Sequence, residues 1–162
     1  MKKKYPIRKK IHLDGFDYTG SDYTYFITIC SYKKAKYFVK CDIAKIIIDD
    51  LLFRCNKINQ INLYCFCLMP DHLHLLLSLN RSYSKSLKDW IANFKRYTSR
   101  KIHSKMKIQS GIWQRGFYEH IIRKHESLIQ KAKYILRNPV RKGLSRDWES
   151  YKYSGFVKQL PM

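Results

Sequence analysis

With 162 residues, 45% hydrophobic and 15% aromatic, the chain can bury one core but not two comfortable ones, and its composition is far from that of a disordered segment. Its 33 Lys and Arg against 12 Asp and Glu, a formal +21, call for a polyanionic partner: nucleic acid first, an anionic membrane second. No apolar run approaches the roughly 20 residues of a membrane helix, and no apolar stretch follows the basic start as in a signal peptide. The five cysteines, an odd number without a CxxC pair, read as free thiols. Together these features predict a single soluble, cytoplasmic domain over residues 1–162, opening with a basic arm over residues 1–10.

The first predicted element is a buried strand over residues 23–32, "YTYFITICSY", β-branched and aromatic. A helix follows in "CDIAKIIIDDLLFRCNKIN", with Asp42 as the expected N-cap and Ile43, Ile46, Ile47, Asp50 and Leu51 at helical spacing. "INLYCFCLM", 61–69, reads as a strand, Pro70 and Asp71 as a turn, and "HLHLLLSL" as the second arm of a hairpin. Ser86 and Asp89 form a capping-box pattern ahead of a basic helix over 86–104, with Leu87, Ile91 and Phe94 as its apolar stripe. "GFYEHIIR", 116–123, reads as a further strand, and a last helix is expected over 126–137, ended by Pro139. The order β-α-β-β-α-β-α predicts an α+β, ferredoxin-like (RRM-like) antiparallel sheet with helices on one face, plus a C-terminal helix.

Strand alternation puts His72, His74, Leu76 and Ser78 on one face and Leu73, Leu75, Leu77 and Leu79 on the other. The leucines take the core, and the imidazoles stand on the open face roughly 6 to 7 Å apart at the backbone, close enough to share a cation. Two histidines alone read as readily as hydrogen-bonded surface residues, so a third ligand and a reactive group are required. The last helix offers both. Leu128, Ile129, Ala132, Ile135 and Leu136 form its apolar arc, Tyr134 points away from that arc, and Asn138 lies four residues on along nearly the same face. Basic and aromatic residues on or near the basic helix, Trp90, Lys95, Arg96, Tyr97, Trp113 and Arg115, offer phosphate contacts and stacking surfaces; Phe94 faces the core. Lys131 shares the side of the last helix that carries Tyr134.

Several stretches carry a family resemblance: "MPDHLHLLL", "WQRGFYEHIIR", "YILRNPVRKGL", "WESYKYSG" and the opening "IHLDGFDYTGSDYTYFITIC". Over roughly residues 6–156, in order, the chain resembles the single-domain HUH tyrosine transposases, most closely the REP-associated branch with its Tyr, three residues, then Asn-Pro. The resemblance implies that His72 and His74 are the metal pair, Asn138 completes coordination and Tyr134 is the nucleophile toward DNA. Asp71 stands where the family more often has Asn, and Asn138 where transposases of the autonomous insertion-sequence type have Gln. His120 has a less definite match and reads as structural or DNA-contacting.

The implied reaction is metal-dependent cleavage and strand transfer of single-stranded DNA bearing hairpins, through a 5′-phosphotyrosine link. Mixed nitrogen and oxygen ligands with open positions favour Mg²⁺ or Mn²⁺ over structural zinc. The resemblance admits a monomer or a homodimer, and the DNA substrate implies a cytoplasmic, nucleoid-associated protein. The competing reading is a non-catalytic single-stranded nucleic-acid-binding module of the same fold, which would not require the metal pair, Tyr134 or Asn138.

Overall fold

The computed structural model describes residues 15–123 and 126–161, so the basic arm expected over residues 1–10 lies outside the described residues. Strand β1 (Thr24–Cys30) buries Tyr25, Ile27 and Ile29 completely, as its β-branched and aromatic content dictates. Two short 3₁₀ turns lead into α1 (Cys41–Asn56). Its N-cap is Lys40 rather than the expected Asp42, which lies in the first turn, where its charge meets the positive end of the helix. Strands β2 (Ile61–Met69) and β3 (His72–Leu79) form the expected antiparallel hairpin. Helix α2 (Leu87–Lys105) opens with a complete capping box: the Asp89 amide donates to Ser86 Oγ at 3.2 Å and the Ser86 amide to Asp89 Oδ2 at 3.2 Å. Strand β4 (Tyr118–Ile121) is shorter than the sequence pattern suggests.

The chain then forms α3 (Leu128–Leu136), α4 (Asn138–Arg141) and a short strand β5 (Ser154–Phe156) that the pattern does not reveal. Helix α3 ends at Leu136, close to the expected 137, but Pro139 does not hold Asn138 out of helical geometry. It sits in the first turn of α4, where a missing N–H removes no intrahelical bond. Arg137 N bonds Lys133 O and Arg141 N bonds Arg137 O, both at 3.0 Å, so Arg137 closes α3 and caps α4.

The five strands pair antiparallel in the order β4-β1-β3-β2-β5. The first four in that order are the ferredoxin-like arrangement, and β5 extends the sheet beyond β2. On one face, α1 and α2 bury Ile43, Ile47, Leu51, Leu87, Trp90, Ile91 and Phe94 against Ile27, Ile29 and the four odd-numbered leucines of β3. Each such side chain contributes about 1.5–3 kcal/mol by leaving water.

The second face is not open. Helix α3 covers part of it, with Ala132, Ile135 and Leu136 against Cys65, Cys67 and Leu76, because these residues would otherwise be an exposed apolar patch. Ile129, expected in the apolar arc, is largely exposed. A bulge at Tyr64 makes this packing possible: Leu63 pairs with Leu77 but Cys65 with Leu76, so β2 changes phase and turns Cys65, Cys67 and Met69 toward α3.

Candidate active site

The site forms at the end of β3 where the chain leaves the turn. Cross-strand pairs on its face set the neighbours: Cys30 and Met69 flank His72, while Thr28 and Cys67 flank His74. His72 donates from Nδ1 to Asp71 Oδ1 at 2.6 Å, and Nδ1 of His74 bonds the Thr28 hydroxyl at 2.8 Å. With both Nδ1 atoms engaged, the two Nε2 atoms turn to each other and stand 3.1 Å apart. Two bare lone pairs would repel at that distance, so a proton or a cation belongs between them. Nitrogens each about 2.0–2.1 Å from one ion lie roughly 3 Å apart when they subtend a right angle.

His74 is only 7% exposed, and burial, reinforced by His72 and Arg141, lowers its pKa to about 3. It is therefore neutral near pH 7, the form that ligates metals. Burial pushes Cys67 up to about 12 and raises Cys30 above its ordinary value, so both remain protonated. Among the described residues, no group of three or more His, Cys, Asp or Glu side chains could hold a metal ion. A closed structural shell is thus absent among them, and the imidazole pair suits an open site completed by oxygen donors.

Tyr134 comes from α3 across this face. It is 43% exposed, and its ring meets the edges of Phe26 at 5.9 Å and His74 at 6.3 Å between centroids. Phe26 stacks on His74 at 5.5 Å and so props both rings. Asn138, at the start of α4, is 4% exposed, and its amide nitrogen is buried without a hydrogen-bond partner. Such a group costs about 1–3 kcal/mol if left unsatisfied; as an N–H donor it suits an acceptor, and coordination of a cation would fall to the amide oxygen. The donor set of His72, His74 and Asn138 fits a divalent cation in chemical type.

The remaining sequence candidates separate. Arg96 and Arg115 are exposed and line a cleft between α2 and residues 111–117, together with Lys88 and His103. This cleft adjoins the histidine end of the sheet, because Gln114 N bonds Cys30 O at 2.9 Å and Cys30 lies opposite His72. Lys95 lines the same cleft but donates to the Gln114 carbonyl at 2.9 Å and to the Gly116 carbonyl, and burial lowers its pKa to about 8. It clamps the loop that carries Arg115. Trp113 is a correction: it borders the cleft but at 8% exposure it is part of the core, packing against Phe38 and Phe94 and donating from Nε1 to Thr98 Oγ1, so it is no open stacking platform. Trp90 is likewise core. Lys131 stands apart on α3, 3.6 Å from Glu126, which also accepts from His120 at 2.7 Å.

Sequence reasoning missed three contributors. Thr28 has no local signal, since its role follows from cross-strand register. Phe26 reads as one more aromatic in a strand. Arg141 lies 4.7 Å above the Tyr134 ring. Its spacing of seven from Tyr134 and three from Asn138 is the signal that could have found it.

A family model, "Transposase IS200 like", matches residues 19–138. A Haemophilus influenzae protein provisionally named REP-associated tyrosine transposase is 34% identical over 102 residues, and the match spans 58% of each chain. The chain thus aligns with little more than half the length of that relative. A second Haemophilus influenzae protein, uncharacterized, is 26% identical over 161 residues, covering 82% of this chain and 88% of that one. Among solved structures, a REP-associated tyrosine transposase bound to a REP hairpin superposes with a TM-score of 0.63 at 20% identity, over 88% of this chain and 82% of that one. At that identity the likeness establishes the fold, and it matches the antiparallel sheet and packed helices described above. Because the family model takes in strands β1 to β4 with the histidine hairpin, helix α3 with Tyr134, and Asn138, the chain belongs to the IS200-like transposases.

Proposed function

We propose that the protein cleaves single-stranded DNA beside hairpins and rejoins the strand elsewhere, through a 5′-phosphotyrosine link on Tyr134. The observation that carries this reading is the pair of facing Nε2 atoms, 3.1 Å apart, with the Tyr134 ring against His74. His72, His74 and Asn138 would hold Mg²⁺ or Mn²⁺, which supplies Lewis-acid polarisation of a phosphate oxygen when bound.

The residues divide the work. Asp71 and Thr28 hold the Nδ1 sides of the imidazoles and so orient Nε2. Phe26 fixes the attitude of His74 and Tyr134. Tyr134 Oη forms a bond to phosphorus as the P–O3′ bond breaks; the phenol proton passes to water and the leaving oxygen becomes a 3′-hydroxyl. One phosphodiester replaces another, so attack by a second 3′-hydroxyl reverses the link and joins strands without a nucleotide cofactor. Arg96, Arg115 and Lys131 contact phosphates, and Lys95 holds the loop bearing Arg115 in place.

A hairpin substrate is supported by the solved structure that is bound to a REP hairpin. The single-domain organisation, the nucleoid location and the monomer or homodimer state belong to the same proposal. No helix among the described residues is long and apolar enough to cross a membrane, and all five thiols are free.

The test uses labelled hairpin oligonucleotides copied from the DNA flanking the gene, incubated with Mn²⁺ or Mg²⁺ and run on a denaturing gel. Wild type should give a covalent protein–DNA band and Tyr134→Phe none, a loss of about 10⁴-fold or more. Tight binding without a band from any hairpin would favour the non-catalytic binding module instead.

A further inference from the structure

We infer that Arg141 is a catalytic residue of the reaction proposed above, binding the phosphate that Tyr134 attacks. The inference rests on that reading of the function and adds a group to it. Arg137 is at once the C-cap of α3 and the N-cap of α4, so the two helices meet at a single residue and Arg141 comes to lie beside Tyr134. The Arg141 guanidinium carbon lies 4.7 Å from the centre of the Tyr134 ring. The same ring lies 6.3 Å from the His74 ring between centroids, so Tyr134 stands between the cation and the imidazole pair.

Arg141 is not used elsewhere. It is exposed, and among the described residues it makes no ion pair with Asp or Glu. Other cations near the fold's centre are committed: Arg54 to Asp50 at 2.7 Å, and Lys95 to two loop carbonyls. A guanidinium stacked on a ring keeps its N–H edge available, and its planar fork matches two oxygens of a phosphate. Because the ring that positions it is the nucleophile itself, the fork travels with Tyr134.

The chemistry needs such a group. A phosphodiester carries one negative charge, and attack by the phenolic oxygen builds a second on the non-bridging oxygens before the P–O3′ bond breaks. A fixed cation beside them favours that state over the ground state. Arg141 stays protonated throughout, so the atom and proton balance given above is unchanged. In the sequence, the residue hides within "NPVRKG" as one Arg among many basic residues.

The experiment pairs enzyme variants with a change in the substrate. Wild type, Arg141→Gln and Arg141→Lys are assayed on a mapped hairpin oligonucleotide carrying either the natural phosphodiester or a neutral methylphosphonate at the scissile position. Thermal unfolding checks that the variants fold, as the exposed position predicts. On the phosphodiester, Arg141→Gln should lose about 10²–10³-fold in cleavage rate, the loss typical of one stabilising donor. Arg141→Lys, which keeps the charge without the fork, should fall between. On the methylphosphonate, Arg141→Gln should differ from wild type only a few-fold, since one of the two oxygens the fork grips is gone and attack builds one charge instead of two. An equal penalty on both linkages would make Arg141 a packing residue and overturn the inference, as would an Arg141→Gln variant that cleaves like wild type. A wild type that forms no covalent product would overturn the transposase reading, and this inference with it.

Discussion

The two faces of strand β3 are built from one octapeptide and do opposite things. Toward α1 and α2 it presents Leu73, Leu75, Leu77 and Leu79, all fully buried in a continuous apolar core. Toward α3 it presents His72, His74, Leu76 and Ser78. There the packing is apolar at Leu76 and polar at the histidine end, where Thr28 and Asp71 bond the two imidazoles. The difference teaches that a rigid site needs its supporting face filled first. The leucines fix the strand, and the strand fixes the two imidazoles at a separation that suits one shared charge.

Substitutions on the two faces should therefore separate stability from chemistry. Between the two faces of β3, the largest effect on chemistry is expected from His72→Ala, which should lower cleavage by more than about 10²-fold, beyond the loss usual for outer-sphere changes. Salt-sensitive DNA binding should persist in a filter or fluorescence assay. On the opposite face, Leu75→Ala should cost about 2–5 kcal/mol in chemical denaturation, yet leave cleavage per folded molecule near wild type. If Leu75→Ala instead abolished cleavage at full folding, the two faces would not be separable.

Smaller effects sharpen the comparison. Thr28→Val keeps the shape but removes the hydroxyl on His74 Nδ1, and should weaken metal-dependent cleavage about 10- to 100-fold with little change in melting temperature. The smallest effect is expected at Glu126, before α3. The Arg123 amide, then His120, lower its carboxyl pKa from 4.5 to about 2. A carboxyl depressed in the folded state adds stability that is present above pH 4.5 and lost as pH falls toward 2. Glu126→Gln should flatten that part of an acid melting profile, measured by circular dichroism against wild type.

What the sequence makes legible is what local patterns encode. The alternation in "HLHLLLSL" separates the two faces, and Ser86 with Asp89 marks the start of α2 within one residue. Tyr134 and Asn138 follow from helical phase. What stays hidden depends on contacts distant in sequence. The bulge at Tyr64 rephases β2 with no turn residue to announce it. Strand β5 is three residues long, too short for alternation to register. Trp113 looks like a stacking platform because nothing local shows that Phe38, Phe94 and Thr98 enclose it. Lys95 reads as a free phosphate contact because its loop carbonyls come from about 20 residues further along. Thr28 and Asp71 share the same lesson: the partners that orient a ligand come from register and turn geometry, while the ligands themselves show in the pattern.

The most direct test of the account is to trap the covalent complex on a hairpin oligonucleotide, digest both components and map the modified peptide by mass spectrometry. The account predicts a nucleotide 5′-phosphate on Tyr134, formed only with divalent metal and only when His72 and His74 are intact. A link to another of the 13 tyrosines, or one formed equally without the histidines, would contradict it.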